Sequence, residues 1–267
     1  MHRNKWEYLS VERDGRVAIV RFDSKNKVNS LSLALMRELT QLATELQTDA
    51  ELSAVILTGQ STVFSGGMDL KDPELASAGS LSLAQRRELV KVGPRMCAAW
   101  EGLEPVTLAA IEGWCIGGAV ALAVACDWRV AASTASIRVP EIKLGFNMSW
   151  QSVPRFVNLI GPAKTKQLLL LADVINAEAA QQWGLLDYVV ESGSSMSKAK
   201  ALAEQLADMP PVPLRMIKQA INLSASALDN AVSAMDVDQF LLAMGSEDAA
   251  EAARAFFENR EAVFTGR

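Results

Sequence analysis

Apolar and polar positions along this chain keep two rhythms, one of period two and one of helical period. Near the start, Tyr8, Ser10 and Glu12 alternate with Leu9 and Val11, Asp14-Gly15 makes a turn, and Val17 to Phe22 returns. That is the pattern of a β-hairpin. A loop carrying Lys25, Asn26, Lys27 and Asn29 follows, and Ser30 is placed to cap a helix with apolar residues at Leu31, Leu35, Leu39, Leu42 and Leu46. Ala54 to Leu57 is continuously apolar and ends at Thr58-Gly59, as a strand buried on both faces would. A strand–helix–strand order with such a strand predicts an α/β fold with a buried sheet and crossover helices.

The cycle then repeats. Phe64 to Leu70 forms a glycine-bearing turn, and Lys71 to Leu83 reads as a loop with Pro73, Gly79 and several serines. A helical stretch is predicted over about Ala84 to Glu101, kinked or broken at Gly93-Pro94. Next come a strand at Val106 to Ile111, a turn at Glu112 to Ile116, and a helix opening near Gly117-Gly118 and running to Cys126. A strand at Trp128 to Ala132 follows. Beyond about Val190 the chain turns mainly helical and polar, punctuated by Pro210, Pro211 and Pro213. No sequence repeat is visible.

Composition narrows the function. At 267 residues and 50% hydrophobic, the chain suits one large α/β domain, or a core with a helical appendage. A net charge of −5 argues against nucleic-acid binding, so an anionic ligand must be held by local Lys and Arg residues and helix N-termini. The sole histidine, His2, sits at the chain end, which disfavours Ser-His-Asp, Cys-His and His-ligated zinc chemistry. Cys97, Cys115 and Cys126 are spaced neither for a metal knuckle nor for a disulfide framework and read as small buried hydrophobes; no metal is expected. Val106 to Ala125 carries only Glu112 as a charge, but glycines interrupt it and its flanks lack Lys/Arg asymmetry, so a buried strand and helix are expected, not a membrane span. The N-terminus has no apolar signal-peptide core, which predicts a cytoplasmic protein.

The two glycine turns carry the chemistry. Each follows a buried strand, and the second feeds into a helix. Glycine lets backbone N–H groups turn toward a ligand, and a helix N-terminus adds donors and partial positive charge. Two such turns converging make an oxyanion hole. Neither turn matches G-x-G-x-x-G, so a dinucleotide site is disfavoured.

Phe64 to Lys71 (Phe-Ser-Gly-Gly-Met-Asp-Leu-Lys) resembles the first oxyanion-hole motif of the enoyl-CoA hydratase/isomerase (crotonase) family. Ile111 to Leu122 resembles the second, Asn26 to Leu31 the CoA-adenine segment, Val139 to Gly145 the catalytic carboxylate strand, and Phe257 to Arg267 the C-terminal tail. Five motifs in family order span essentially the whole chain. The resemblance implies a crotonase-like spiral of ββα units over 1–195, a C-terminal helical trimerisation segment over 196–267, and a homotrimer or dimer of trimers. It implies an acyl-CoA thioester substrate, coenzyme A being part of that substrate and no separate cofactor being needed. The oxyanion donors would be the backbone N–H groups of Met68 and Gly118, with Glu141 as catalytic carboxylate. Gly66 and Leu70 would give backbone contacts to the adenine, Lys25 and Lys27 contacts to phosphate or adenine edge. Trp150 would wall the acyl pocket, and Gln151 would orient a water or a polar acyl group.

Two departures matter. Hydratases of the family use two glutamates, and where the first is expected, three positions after Gly118, this chain has Ala121. Their Pro-Gly-Ala-Gly-Gly run is replaced by Met148-Ser149-Trp150-Gln151-Ser152. Adding water needs one group to activate it and one to protonate carbon. A lone glutamate can still carry a proton between two carbons of one thioester. The resemblance therefore implies 3-enoyl to 2-enoyl isomerisation ahead of 2-enoyl-CoA hydration. Decarboxylation, hydrolysis or carbon–carbon bond formation on the same enolate stay open, as does a non-catalytic acyl-CoA-binding subunit.

Overall fold

A computed structural model describes residues 5–267; His2 lies outside the described residues. The expected hairpin is present as β1 (Leu9–Asp14) and β2 (Val17–Phe22), antiparallel and closed at Gly15. β1 buries only Leu9 and forms the sheet edge, whereas β2 is almost wholly buried. The helix that follows is Leu33–Gln47, and its cap is Ser32, whose Oγ accepts from the Leu35 N–H, not Ser30. The chain is still extended at Leu31 because that N–H is bonded to the Gly67 carbonyl at 2.7 Å.

Seven more strands complete two sheets: β3 (Ala54–Thr58), β4 (Val106–Ile111), β5 (Trp114–Ile116), β6 (Trp128–Ala132), β7 (Ser136–Arg138), β8 (Ile175–Asn176) and β9 (Tyr188–Val190). The large sheet runs β1-β2-β3-β4-β6-β9, parallel from β2 onward, and the small one runs β5-β7-β8. β4 passes into β5, and β6 into β7, each time stepping from the large sheet to the small one. After β3 the bridge between Ser65 and Cys115 plays the same part. The result is the spiral of ββα turns, a geometric repeat that leaves no trace as sequence repetition.

Several local readings change. The turn at Glu112 to Ile116 contains β5, whose three residues are too few to show a rhythm. The Lys71 to Leu83 loop holds a short helix, Pro73–Ala76, capped by Asp72. The long helical stretch is broken, as expected, but at Lys91, between Leu83–Val90 and Val92–Glu101 and just before Pro94, which has no N–H to bond the preceding turn. The carboxylate segment is no strand at Glu141, because β7 ends at Arg138 and Pro140 turns the chain into a 3-10 turn, Glu141–Leu144.

The large sheet is covered on both faces. Phe22, Leu35, Met36, Leu57, Trp100 and Phe156 belong to the main core. On the other face Ile19, Ile56, Leu108 and Val130 pack with Ala199, Leu202 and Ala203 of the helix Ser195–Ala207. That helix, which the sequence boundary at 196 groups with the appendage, is thus part of the sheet's cover. Past Pro210 the helices Pro211–Ala225, Asp229–Ser233, Asp236–Met244 and Glu247–Glu258 follow. The first is pinned to the core by Lys218, buried and bonded to Asp127 at 2.6 Å and to the Pro105 carbonyl at 2.8 Å. All three cysteines are free and buried, and desolvation pushes the Cys97 and Cys126 thiols up to about 12. Val106 to Ala125 folds as β4, β5 and the helix Gly118–Val124, and no described helix is long and apolar enough to cross a membrane.

Candidate active site

The two glycine turns meet across the junction of the sheets. Leu31 pairs with Met68 in a parallel bridge: Leu31 N–H donates to the Gly67 carbonyl, and Asp69 N–H donates to the Leu31 carbonyl. A parallel bridge uses the residues on either side of Met68, which leaves the Met68 N–H without an acceptor among the described residues. The second turn lies alongside, with Ser65 N–H bonded to the Trp114 carbonyl and Ile116 N–H to the Ser65 carbonyl. Gly118 opens its helix, and its N–H is likewise without a protein acceptor among the described residues.

Glycine is required at two of these positions. Gly67 has φ +85°, and a Cβ there would fall 2.5 Å from the Ile116 carbonyl oxygen and 3.4 Å from the Gly118 nitrogen. Gly117 has φ +55°, and a Cβ there would sit 2.5 Å from Glu141 Oε1. The same numbers show how closely the turns abut and how near the carboxylate stands.

Glu141 lines the same cleft, with Gly66, Met68, Gly117, Gly118 and Trp150. Its Oε2 is buried without a hydrogen-bond partner. Desolvation raises its pKa to about 7, opposed only in part by its own backbone N–H. A carboxylate titrating near neutrality is poised both to take and to return a proton. Among the described residues lining the cleft, it is the only titratable side chain. Ala121, one turn along the helix from Gly118, is fully buried and supplies no polar group.

Trp150 dominates the rest of the cleft, whose cavity is only about 80 Å³. A Cβ on Gly118 would meet Trp150 Cη2 at 2.4 Å, and one on Gly93 would meet Cε2 at 2.2 Å, so two side-chain-free surfaces hold the indole. Trp150 and Gln151 both adopt left-handed backbone, φ +62° and +55°, a conformation that costs non-glycine residues about 1–3 kcal/mol each. The surroundings hold them there. Asp236 Oδ2 accepts from Ser149 Oγ at 2.7 Å and from Gln151 N–H at 3.2 Å. Arg155 Nη1 donates to the Trp150 and Gln151 carbonyls, both at 3.0 Å, while the same guanidinium forks onto Glu101 at 2.7 Å.

The other candidate positions spread more widely. Gly66 and Leu70 line the cleft, although the Gly66 N–H is already bonded to the Val28 carbonyl at 2.7 Å, leaving only its carbonyl for a ligand. Lys25 and Lys27 stand exposed on the adjoining loop outside the cleft lining, Lys25 near Glu7 and over the Tyr8 ring. Gln151 does not line the cleft; it precedes the helix Ser152–Lys166 and uses its backbone. Sequence reasoning missed Phe146, Phe240 and Asp236, the last two from the C-terminal segment. No local pattern couples residues 87 positions apart, as Ser149 and Asp236 are.

The sequence profile of the enoyl-CoA hydratase/isomerase family matches residues 12–267. The chain is similar to a protein of Mycobacterium bovis named "Probable enoyl-CoA hydratase echA8", with 32% identity over 98% of this chain and 99% of that one. It is also similar to the crotonyl-CoA hydratase of Syntrophomonas wolfei, with 30% identity over 98% and 99% of the two chains. A crystal structure of an enoyl-CoA hydratase from Bacillus anthracis superimposes with a TM-score of 0.76 at 30% identity, covering 98% of this chain and all of that one. With its spiral fold, its paired glycine turns and this similarity along its length, the chain belongs to the enoyl-CoA hydratase/isomerase family of acyl-CoA enzymes.

Proposed function

We propose that this enzyme isomerises 3-enoyl-CoA thioesters to 2-enoyl-CoA, with Glu141 as its proton shuttle. The observation that carries the reading is that, among the described residues, Glu141 is the only titratable side chain lining a cleft that also presents the N–H groups of Met68 and Gly118, neither with an acceptor. The thioester oxygen accepts from both N–H groups. Ionised Glu141 takes a proton from C2, and the electrons pass onto that oxygen as a dienolate. The double bond re-forms between C2 and C3 as protonated Glu141 returns the proton to C4. One carboxylate suffices, and no water enters. Coenzyme A arrives as part of the substrate, with Gly66 and Leu70 at the mouth and Lys25 and Lys27 on the adjoining loop toward its adenine and phosphates.

Hydration is the second reading, favoured by the names of the relatives. Against it stand the buried Ala121 and the indole of Trp150, which leave no second carboxylate among the described residues of the cleft lining and little room for water. Purified enzyme given 3-hexenoyl-CoA should yield 2-hexenoyl-CoA by mass spectrometry and chromatography. Given crotonyl-CoA it should yield little 3-hydroxybutyryl-CoA. Efficient formation of the hydroxy product would transfer the assignment to hydration, and inertness toward both, with binding retained, would leave a non-catalytic subunit.

A further inference from the structure

We propose that Trp150 fixes the acyl-chain length this enzyme accepts: its indole, seated between Gly93 and Gly118 and held by Asp236, closes the acyl pocket to all but short chains. The inference rests on the acyl-CoA reading of the cleft and is independent of which reaction Glu141 performs.

The indole lies directly beside the oxyanion turn. The edge bearing Cη2, Cζ3 and Cζ2 packs on Gly118, and the atoms Cε2, Nε1 and Cδ2 pack on Gly93 of the facing helix Val92–Glu101. A bound thioester has its carbonyl oxygen at Gly118, so its first carbons run past this ring. The cavity of about 80 Å³ is far below the ~300–1,000 Å³ of pockets that enclose a drug-sized ligand.

The ring is fixed, not resting there by chance. Its backbone is left-handed at two successive non-glycine residues. Ties from opposite sides hold it: Asp236 takes Ser149 Oγ and Gln151 N–H, and Arg155, anchored by Glu101, takes both carbonyls. Ser152 Oγ adds a bond to the Ser149 carbonyl at 2.6 Å. Asp236 comes from a distant helix and does not itself line the cleft, so it acts as a positioning residue through its bonds to Ser149 and Gln151 of this loop. The chemical class selected is a short-chain acyl-CoA thioester, and each excluded methylene is discriminated by up to the ~10–200-fold that a close-fitting apolar pocket achieves.

The test is the affinity for two unreactive saturated thioesters, butyryl-CoA and octanoyl-CoA, by isothermal titration calorimetry on the full-length enzyme. Wild type should bind butyryl-CoA at least about tenfold more tightly. Trp150→Ala should shift the octanoyl-to-butyryl affinity ratio by at least about tenfold toward octanoyl-CoA. Trp150→Phe and Asp236→Asn should shift it the same way by less. A variant that merely loosens the fold weakens both ligands together and leaves the ratio where it was. If Trp150→Ala does not melt cooperatively, the ratios of Trp150→Phe and Asp236→Asn decide. A wild type that binds both thioesters equally well, or a ratio unmoved in the folded variants, overturns the proposal. Because neither thioester reacts, that failure is distinct from a failure of the isomerase reading, which the 3-hexenoyl-CoA assay reports.

Discussion

Glu141 stands at neutral pH where a buried carboxylate is costly to ionise. Desolvation raises its pKa to about 7. The folded-state value lies above the usual 4.5, so the folded protein holds the proton more tightly than the unfolded chain. Glu141 therefore adds stability below about pH 4.5, loses it as pH rises, and carries the full cost above about pH 7. The shift corresponds to roughly 3 kcal/mol. Glu141→Gln should raise the melting temperature at pH 8 by several degrees and by much less at pH 5, as differential scanning calorimetry can show. The same variant should lose about a thousandfold or more in kcat while still binding CoA thioesters. A residual rate above about a tenth of wild type would remove Glu141 from the chemistry. Since the base form starts the reaction, wild-type kcat/KM should climb through about pH 7. The Pro140-Glu141 context and its family motif made the residue legible, but not its unpartnered Oε2, which depends on groups brought from other elements.

At the scale of elements, the helix Gly118–Val124 and the Trp150 loop form one mechanical unit. Any side chain at 118 meets the indole at 2.4 Å, so Gly118→Ala disturbs the oxyanion donor and its neighbour together. It should cut the rate by ~10²-fold, the scale of one lost oxyanion donor. In a double-mutant cycle, Trp150→Ala should restore part of that loss, and strict additivity would show that the two do not touch in the working enzyme. Met68→Ala should be mild by comparison, since only the Met68 backbone faces the thioester. Helices and strands of good length were legible: Val106–Ile111 and the leucine face of Leu33–Gln47 follow directly from periodicity. Short elements such as Trp114–Ile116, and the shift of the cap from Ser30 to Ser32, were not. They are decided by hydrogen bonds to Ser65 and Gly67, far away in sequence.

For the whole molecule, the helix Pro211–Ala225 is the informative part. Lys218 anchors it inward, while Val212, Met216, Ile217, Ile221 and Leu223 face outward and exposed. Soluble chains seldom leave such a row uncovered, and we expect copies of this chain to cover it, giving three times the chain mass or a multiple of three by light scattering. Ile217→Asp with Ile221→Asp should lower that mass; an unchanged mass would place the contact elsewhere. Lys218→Met should destabilise the fold by about 3–5 kcal/mol, because it strands Asp127 beside the core. Spiral and motif order were legible from sequence, whereas the division near residue 196 was not, since Ala199 and Leu202 differ little from residues on any amphipathic helix. The bond from Asp236 to the Trp150 loop also bears on synthesis. A ribosome delivers the glycine turns, Glu141 and Trp150 long before it delivers Asp236, and domains begin folding from the N-terminal side. A nascent chain can thus shape its reaction centre early, yet it gains its size filter only when the last helices leave the exit tunnel.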